Sequence, residues 1–137
     1  MRCAVKWTRA RIREFGFADL IEQNYNLRLI EPLGYLDFLR LYSGARLVLT
    51  DSGGIQEETT ALGIPCLTLR ENTERPITAL MGTNVIVGTD TDRITRAAFN
   101  VLDAPHDKQN RQRPPLWDGH TADRILDALL EGMRDEG

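Results

Sequence analysis

Histidine, cysteine and tryptophan are scarce in this 137-residue chain, at two each. Neither His106 nor His120 stands at a metal-ligand spacing from the other or from a cysteine, which argues against a structural zinc site. Cys3 and Cys66 lie far apart. Cys66 falls in the apolar run "PCLTL" and reads as a small buried hydrophobe. In a chain of cytosolic composition its thiol is expected to be reduced, a disulfide to Cys3 being the alternative. No apolar stretch approaches the roughly 20 residues that cross a bilayer, so no membrane partner is expected. The segment "MRCAVKWTRARIREFG" lacks the apolar core of a secretory signal, and a cytoplasmic location is expected. An excess of positive charge is missing too. Lys and Arg number 17 against 20 Asp and Glu, for a net charge of -3. Nothing in that balance favours nucleic acid as a partner.

What the chain has is 42% hydrophobic residues and a length suited to one domain. Thr8 to Tyr25 carries a loose helical period, interrupted at Gly16. A short strand, "LRLIEP", ends at Pro32. Tyr35, Phe38, Leu39 and Tyr42 recur at i, i+3, i+4 and i+7, the mark of an amphipathic helix. From there strands and helices alternate. The strands are "ARLVLT" (45–50), "PCLTL" (65–69) and "NVIVG" (84–88). The helices are "GGIQEETTALG", closed by Gly63, and "RPITALMG", opened by Pro76. Next come "TDRITRAAFNVLDA", capped by Asp90 or Thr91, and "HTADRILDALLEGM", with Ile125, Leu129 and Met133 on one stripe. Asp107 to Pro115 reads as a loop. Such alternation with short connections predicts an α/β domain with a parallel sheet covered on both faces.

Three segments carry chemistry. In an open α/β sheet, ligands bind beyond the carboxyl ends of the strands. "TDSGGIQEE" (50–58) falls at such an end. Gly53 and Gly54 let backbone approach a ligand, and the helix that follows offers free N–H groups and a positive dipole end. Ser52 either caps that helix or gives its hydroxyl to a phosphate. This is a phosphate cradle without a Walker lysine or a GxGxxG fingerprint, so no nicotinamide cofactor is indicated. Glu58 lies one turn beyond Gly54, too far along to meet the phosphate and well placed to accept two hydrogen bonds from a ribose diol. Glu57 is rotated by about 100° from it. The plainer explanation is that acidic residues near a helix start complement its dipole, and that Ser-Gly is ordinary turn chemistry. Spacing alone does not choose between the two.

The second segment, "RENTERP" (70–76), sits at the next strand's carboxyl end. There Arg75 can offer a bidentate fork to a diphosphate. In isolation it would read as a solvated, charged loop. The third is "EPLGYLDFL" (31–39), where backbone groups can read a base edge with Phe38 packed on it. Pattern alone puts Phe38 in the core.

Taken in this order, "IEPLGYLDFL", "LTDSGGIQEE", "LGIPCLTLRENTERP", "GTNVIVGTD" and "DGHTADRILDAL" resemble the C-terminal half of the non-hydrolysing UDP-N-acetylglucosamine 2-epimerases. The resemblance runs from about Thr8 to Leu130. It implies a Rossmann-like parallel sheet with flanking helices, one half of a glycosyltransferase-B-type architecture whose two domains enclose a UDP-sugar. Ser52, Gly53 and Gly54 would hold the diphosphate, Glu58 the ribose hydroxyls and Arg75 the phosphate region, with Phe38 near the uracil. The implied reaction interconverts UDP-N-acetylglucosamine and UDP-N-acetylmannosamine. UDP leaves by anti-elimination to give a 2-acetamidoglucal, then adds back with C2 inverted. No metal or redox cofactor is implied. The acid–base carboxylates come largely from an N-terminal domain expected to lie outside residues 1–137, so the chain is expected to be a partial, UDP-gripping domain, inactive alone. The family's His-Pro-rich segment before "TRARI" is replaced by "MRCAVKW", and the first strand of the domain is expected to be lost. The alternatives are a stand-alone UDP-sugar-binding module or inactive remnant, a hydrolysing epimerase, and, against the grain of "DSGGIQEE" with "TERP", a glycosyltransferase half. A homo-oligomer or a partner supplying the missing domain is the further expectation.

Overall fold

A computed structural model of the chain describes residues 2–3, 6–105 and 113–135. The chain divides into two compact units, Met1–Leu41 and Tyr42–Gly137.

In the first unit, strands β1 (Arg2–Cys3) and β2 (Arg28–Leu29) pair in parallel, with Arg2 opposite Arg28 and Cys3 opposite Leu29. The sequence predicts no strand ahead of Thr8, yet one short strand is formed there. Helices α1 (Lys6–Glu14) and α2 (Ala18–Glu22) lie between the two strands. They break at Gly16, whose φ of 70° suits glycine and stops a continuous helix. Helix α3 (Tyr35–Ser43) begins in this unit and ends in the next. Its predicted stripe is only half realised. Tyr42 is 5% exposed, whereas Tyr35 and Phe38 are 62% and 37% exposed. Phe38 is therefore not a core residue.

In the second unit, β3 (Val48–Thr50), β4 (Cys66–Thr68) and β5 (Asn84–Ile86) form a parallel sheet in sequential order. The register aligns Val48, Cys66 and Asn84 across the three strands. The strands are shorter than their apolar runs, but ladder-like bonds continue past them. Val48 N donates to Pro65 O and Val87 N to Thr68 O. The central strand β4 is wholly buried, whereas β3, whose continuous apolar run predicts cover on both faces, keeps Val48 and Leu49 only half-buried. Coverage fails at β5, where Val85 is half exposed.

Helix α4 (Gly53–Leu62) links β3 to β4 and stops at Gly63, whose φ of 68° is the left-handed cap that glycine favours. Helix α5 (Pro76–Leu80), with Pro76 in its first turn, links β4 to β5. Helix α6 (Thr91–Asp103) is capped by Asp90, which accepts from Arg93 N at 2.8 Å and so settles the choice against Thr91. On helix α7 (Thr121–Asp135) the residues of the apolar stripe, Ile125, Leu129 and Met133, are all exposed. His106 and most of the loop at 107–115 lie outside the described residues.

Cys66 is a buried free thiol, so the alternative of a disulfide at this residue is not realised. Burial pushes its pKa up, because the thiolate would lose its hydration, and a hydrogen bond with Thr59 opposes that in part. Gly82 is demanded by packing. A Cβ there would stand 2.5 Å from both Thr60 Cγ2 and Thr78 O. The Gly82→Ala variant is expected to lose about 1–3 kcal/mol through overpacking, read from the urea midpoint against the parent chain.

Candidate functional site

The carboxyl ends of β3 and β4 are adjacent because the two strands are parallel neighbours in register. The loops "TDSGG" and "RENTERP" leave from those two ends, so topology brings the first two predicted segments side by side.

At the first, Ser52 takes the N-cap position of α4 with extended backbone (φ -82°, ψ 126°). Its side chain makes no capping bond, which removes the capping role and leaves the hydroxyl for another partner. The first intrahelical bond runs from Gln56 N to Ser52 O, so the amides of Gly53 to Ile55 precede the helical ladder and aim out of its positive end. Neither Gly53 nor Gly54 has a positive φ. A Cβ at Gly54 would meet nothing within 4 Å, and one at Gly53 would make only ordinary contact with Arg75. The fold itself therefore does not demand glycine at either position. Their effect is to leave the backbone at the helix tip open to close approach from outside.

Arg75 belongs to the second loop, and its aliphatic stem lies 3.8 Å from the Cβ that Gly53 lacks. Its Nε donates to Glu57 Oε1 at 3.1 Å, with both side chains partly exposed. Glu57, rotated away from Glu58, thus faces the arginine. The other arginine of the loop is already committed. Arg70 makes a bidentate pair with Glu74 at 3.0 and 2.6 Å, which holds the Glu74 carboxyl below its usual range. Glu71 turns to the next loop, accepting from Thr89 N at 3.2 Å beside Gly88. From this charged segment the Arg75 side chain is carried beside Gly53 at the tip of α4.

Glu58 is half-buried one turn along α4 and accepts a hydrogen bond from the Tyr42 phenol. Helical periodicity marks Tyr42 as an apolar-stripe residue and does not reveal that its hydroxyl orients Glu58. Because α4 starts at Gly53, its first turn holds no acidic residue, so complementing the dipole does not explain the two glutamates. The structure thus brings Ser52, Gly53, Gly54, Glu58 and Arg75 onto α4 and its neighbouring loop. Phe38 belongs to the first unit, on α3. That unit also holds a cavity of about 210 Å³ lined by residues such as Arg9, Ile12, Ile21 and Leu29, and none of the six predicted site residues lines it. Among the described residues no group of three or more His, Cys, Asp or Glu is arranged to hold a metal ion, and no helix is long and apolar enough to cross a membrane.

A family model described as UDP-N-acetylglucosamine 2-epimerase matches residues 5–130. The chain belongs to that family. The UDP-N-acetylglucosamine 2-epimerase of Methanocaldococcus jannaschii is 41% identical over 125 residues, which is 91% of this chain and 33% of that protein. The Salmonella typhimurium enzyme of the same name is 46% identical over 106 residues, 76% of this chain and 28% of that protein. This epimerase-family chain therefore spans about a third of the length of the curated relatives it matches. Among solved structures, the M. jannaschii enzyme superimposes with a TM-score of 0.80 at 39% identity, covering 95% of this chain and 35% of that one. A structure of the same enzyme in complex with UDP-GlcNAc and UDP matches with a TM-score of 0.73 at 40% identity, over 93% of this chain and 34% of that one. The Neisseria meningitidis enzyme bound to UDP-GlcNAc matches with a TM-score of 0.76 at 36% identity, over 88% and 33% of the two chains. The shared fold is the expected α/β, Rossmann-like half of a glycosyltransferase-B-type architecture.

The Tyr42–Glu58 bond is a constraint that the fold places on the candidate site. Removing the phenol hydroxyl leaves a half-buried carboxylate short of a donor. Tyr42→Phe is expected to cost about 1–3 kcal/mol in urea unfolding at neutral pH, since hydrogen bonds to charged groups lie in that range.

Proposed function

We propose that this chain is the UDP-gripping, C-terminal part of a non-hydrolysing UDP-N-acetylglucosamine 2-epimerase, and that the acid–base residues lie in an N-terminal domain outside residues 1–137. The observation that carries this reading is the convergence of Arg75 with the open backbone of Gly53 and Gly54 at the tip of α4. Amides, helix dipole and guanidinium there form one cationic cradle for a diphosphate. Glu58, set one turn deeper and oriented by Tyr42, would accept hydrogen bonds from the ribose diol. Ser52 would give its hydroxyl to the diphosphate, and Phe38 would lie near the uracil. The compartment proposed is the cytoplasm.

In the proposed reaction the sugar loses its C2 proton and its C1–O bond to UDP breaks, giving a 2-acetamidoglucal. A base in the N-terminal domain takes that C2 proton; UDP oxygen then re-forms the bond to C1 as an acid there returns a proton to the opposite face of C2, which inverts it. The leaving diphosphate gains charge as the C1–O bond breaks, and a preorganised cradle stabilises charge at that moment. A hydrolysing epimerase would use the same grip and release free N-acetylmannosamine and UDP instead. Product analysis with the complete enzyme separates the two.

The deciding experiment is a calorimetric titration of the chain with UDP, with UMP and ADP as controls, followed by an epimerisation assay on the same sample. UDP binding without turnover is the expected result. Turnover would show that the chain completes an active site unaided, and absence of UDP binding would overturn the grip. In the same titration, Glu58→Ala is expected to weaken UDP by about 1–3 kcal/mol. Unchanged affinity with an intact circular dichroism spectrum removes Glu58 from the site.

An N-terminal domain outside residues 1–137 has a physical corollary. The stripe of Ile125, Leu129 and Met133 is 56%, 62% and 74% exposed. A contiguous apolar face of this kind favours association. The isolated chain is expected to self-associate with rising concentration in sedimentation velocity. A clean monomer at high concentration contradicts this.

A further inference from the structure

The exposed loop that carries Arg75 has one inward anchor. Glu71, Asn72, Glu74 and Arg75 are exposed, and Thr73 between them is half-buried. Thr73 Oγ1 donates to Gln56 Oε1 at 2.6 Å and accepts from Arg75 N at 3.0 Å. Gln56 is 0% exposed on α4. Its Oε1 also accepts from Asn84 Nδ2 at 3.2 Å, and that amide reaches Thr78 Oγ1 at 3.1 Å. Thr78 in turn donates to Arg75 O at 2.7 Å. Both backbone polar groups of Arg75 therefore end on threonine hydroxyls rooted in one buried amide pair.

We propose that Thr73, clamped by Gln56, is a positioning residue that sets Arg75 over the N-terminus of α4. The guanidinium is poorly confined on its own account. Its side chain is 48% exposed, and its ion pair with Glu57 is of the partly exposed kind that contributes little. The place of its backbone is fixed instead by the hydroxyl between Gln56 and Arg75. Gln56 stands two residues after Gly54 on the same helix. One rigid element thus supplies the anion-binding tip and the root of the arginine that completes it. The epimerase needs that register because a guanidinium displaced by an ångström no longer meets the diphosphate.

This inference rests on the proposed contact between Arg75 and the diphosphate, so its test separates the two. The chain is titrated with UDP and with uridine, which lacks phosphate, by amide chemical-shift changes. Thr73→Val removes both hydrogen bonds with little change in shape. It is expected to weaken UDP by about tenfold, the order of one such bond, and to leave uridine unchanged. Thr73→Ser, which keeps the hydroxyl, should restore UDP affinity. In an Arg75→Met background Thr73→Val should add nothing, because the two act through one group. Should Thr73→Val not fold, Thr73→Ala is read by the same criteria. Equal losses for UDP and uridine, additivity with Arg75→Met, or no loss at all would each overturn the positioning role. If Arg75→Met itself leaves UDP unchanged, the diphosphate contact falls and the positioning role with it.

Discussion

Asn84 is the residue on which most of the second unit depends. Its side chain, 3% exposed on β5, accepts from Thr68 on β4 and donates to Gln56 on α4 and Thr78 on α5. Four elements are joined through one amide. A buried polar group that loses its partner incurs its full desolvation cost, so such a junction admits few alternative packings. It is not complete, for Gln56 Nε2 and Thr60 Oγ1 are buried with no partner among the described residues. An apolar core of the same size would tolerate sliding of α4 along the sheet. This one ties the helix to a fixed height above β4 and β5, and that height places the helix tip beside the loop holding Arg75.

The candidate site follows from that constraint and from sheet topology. Parallel neighbours put their carboxyl ends at one edge, and the two chemically distinctive loops emerge there. Electrostatics then sorts the charged residues. Arg70 is neutralised by a bidentate partner within its own loop, and Glu71 closes a turn. Arg75 pairs through Nε with the partly exposed Glu57 and lies beside Gly53 at the tip of α4. Carboxylate and guanidinium meet here at partial exposure, where a dianionic ligand can compete for the arginine at modest cost.

Much of this was legible in the sequence because local rules and global fold agree. Gly16, Gly63, Pro76 and Asp90 punctuate helices where their backbone preferences predict. The continuous apolar run in "ARLVLT" marks strand β3, though only Thr50 of that strand is fully buried. Periodicity failed where it could not see partners. It assigns Phe38 and Tyr42 alike to a stripe, yet one is 37% and the other 5% exposed. It is blind to a polar tip on an aromatic body, so the bond from Tyr42 to Glu58 was invisible. The pairing of Arg2–Cys3 with Arg28–Leu29 was missed for a different reason: two residues carry no period at all. Gln56 and Thr73 gave no signal either, since a polar helix residue and a polar loop residue read as solvated until the fold buries one against the other.

The division of labour between grip and chemistry gives the proposed epimerase its logic. An elimination followed by re-addition needs its leaving group retained after the bond breaks. Binding energy shared equally by UDP-sugar and free UDP does not lower the chemical barrier, but it keeps the intermediate pair together. Backbone amides and a helix terminus suit that task because they have no pKa to shift as the diphosphate gains charge. In the proposed site Arg75 adds a planar guanidinium fork suited to a diphosphate. Under the proposed reading Glu58, held by Tyr42, would take the ribose side and hold the nucleoside without perturbing the elimination. A domain built in this way supplies constancy, and the groups that give and take protons can be placed elsewhere.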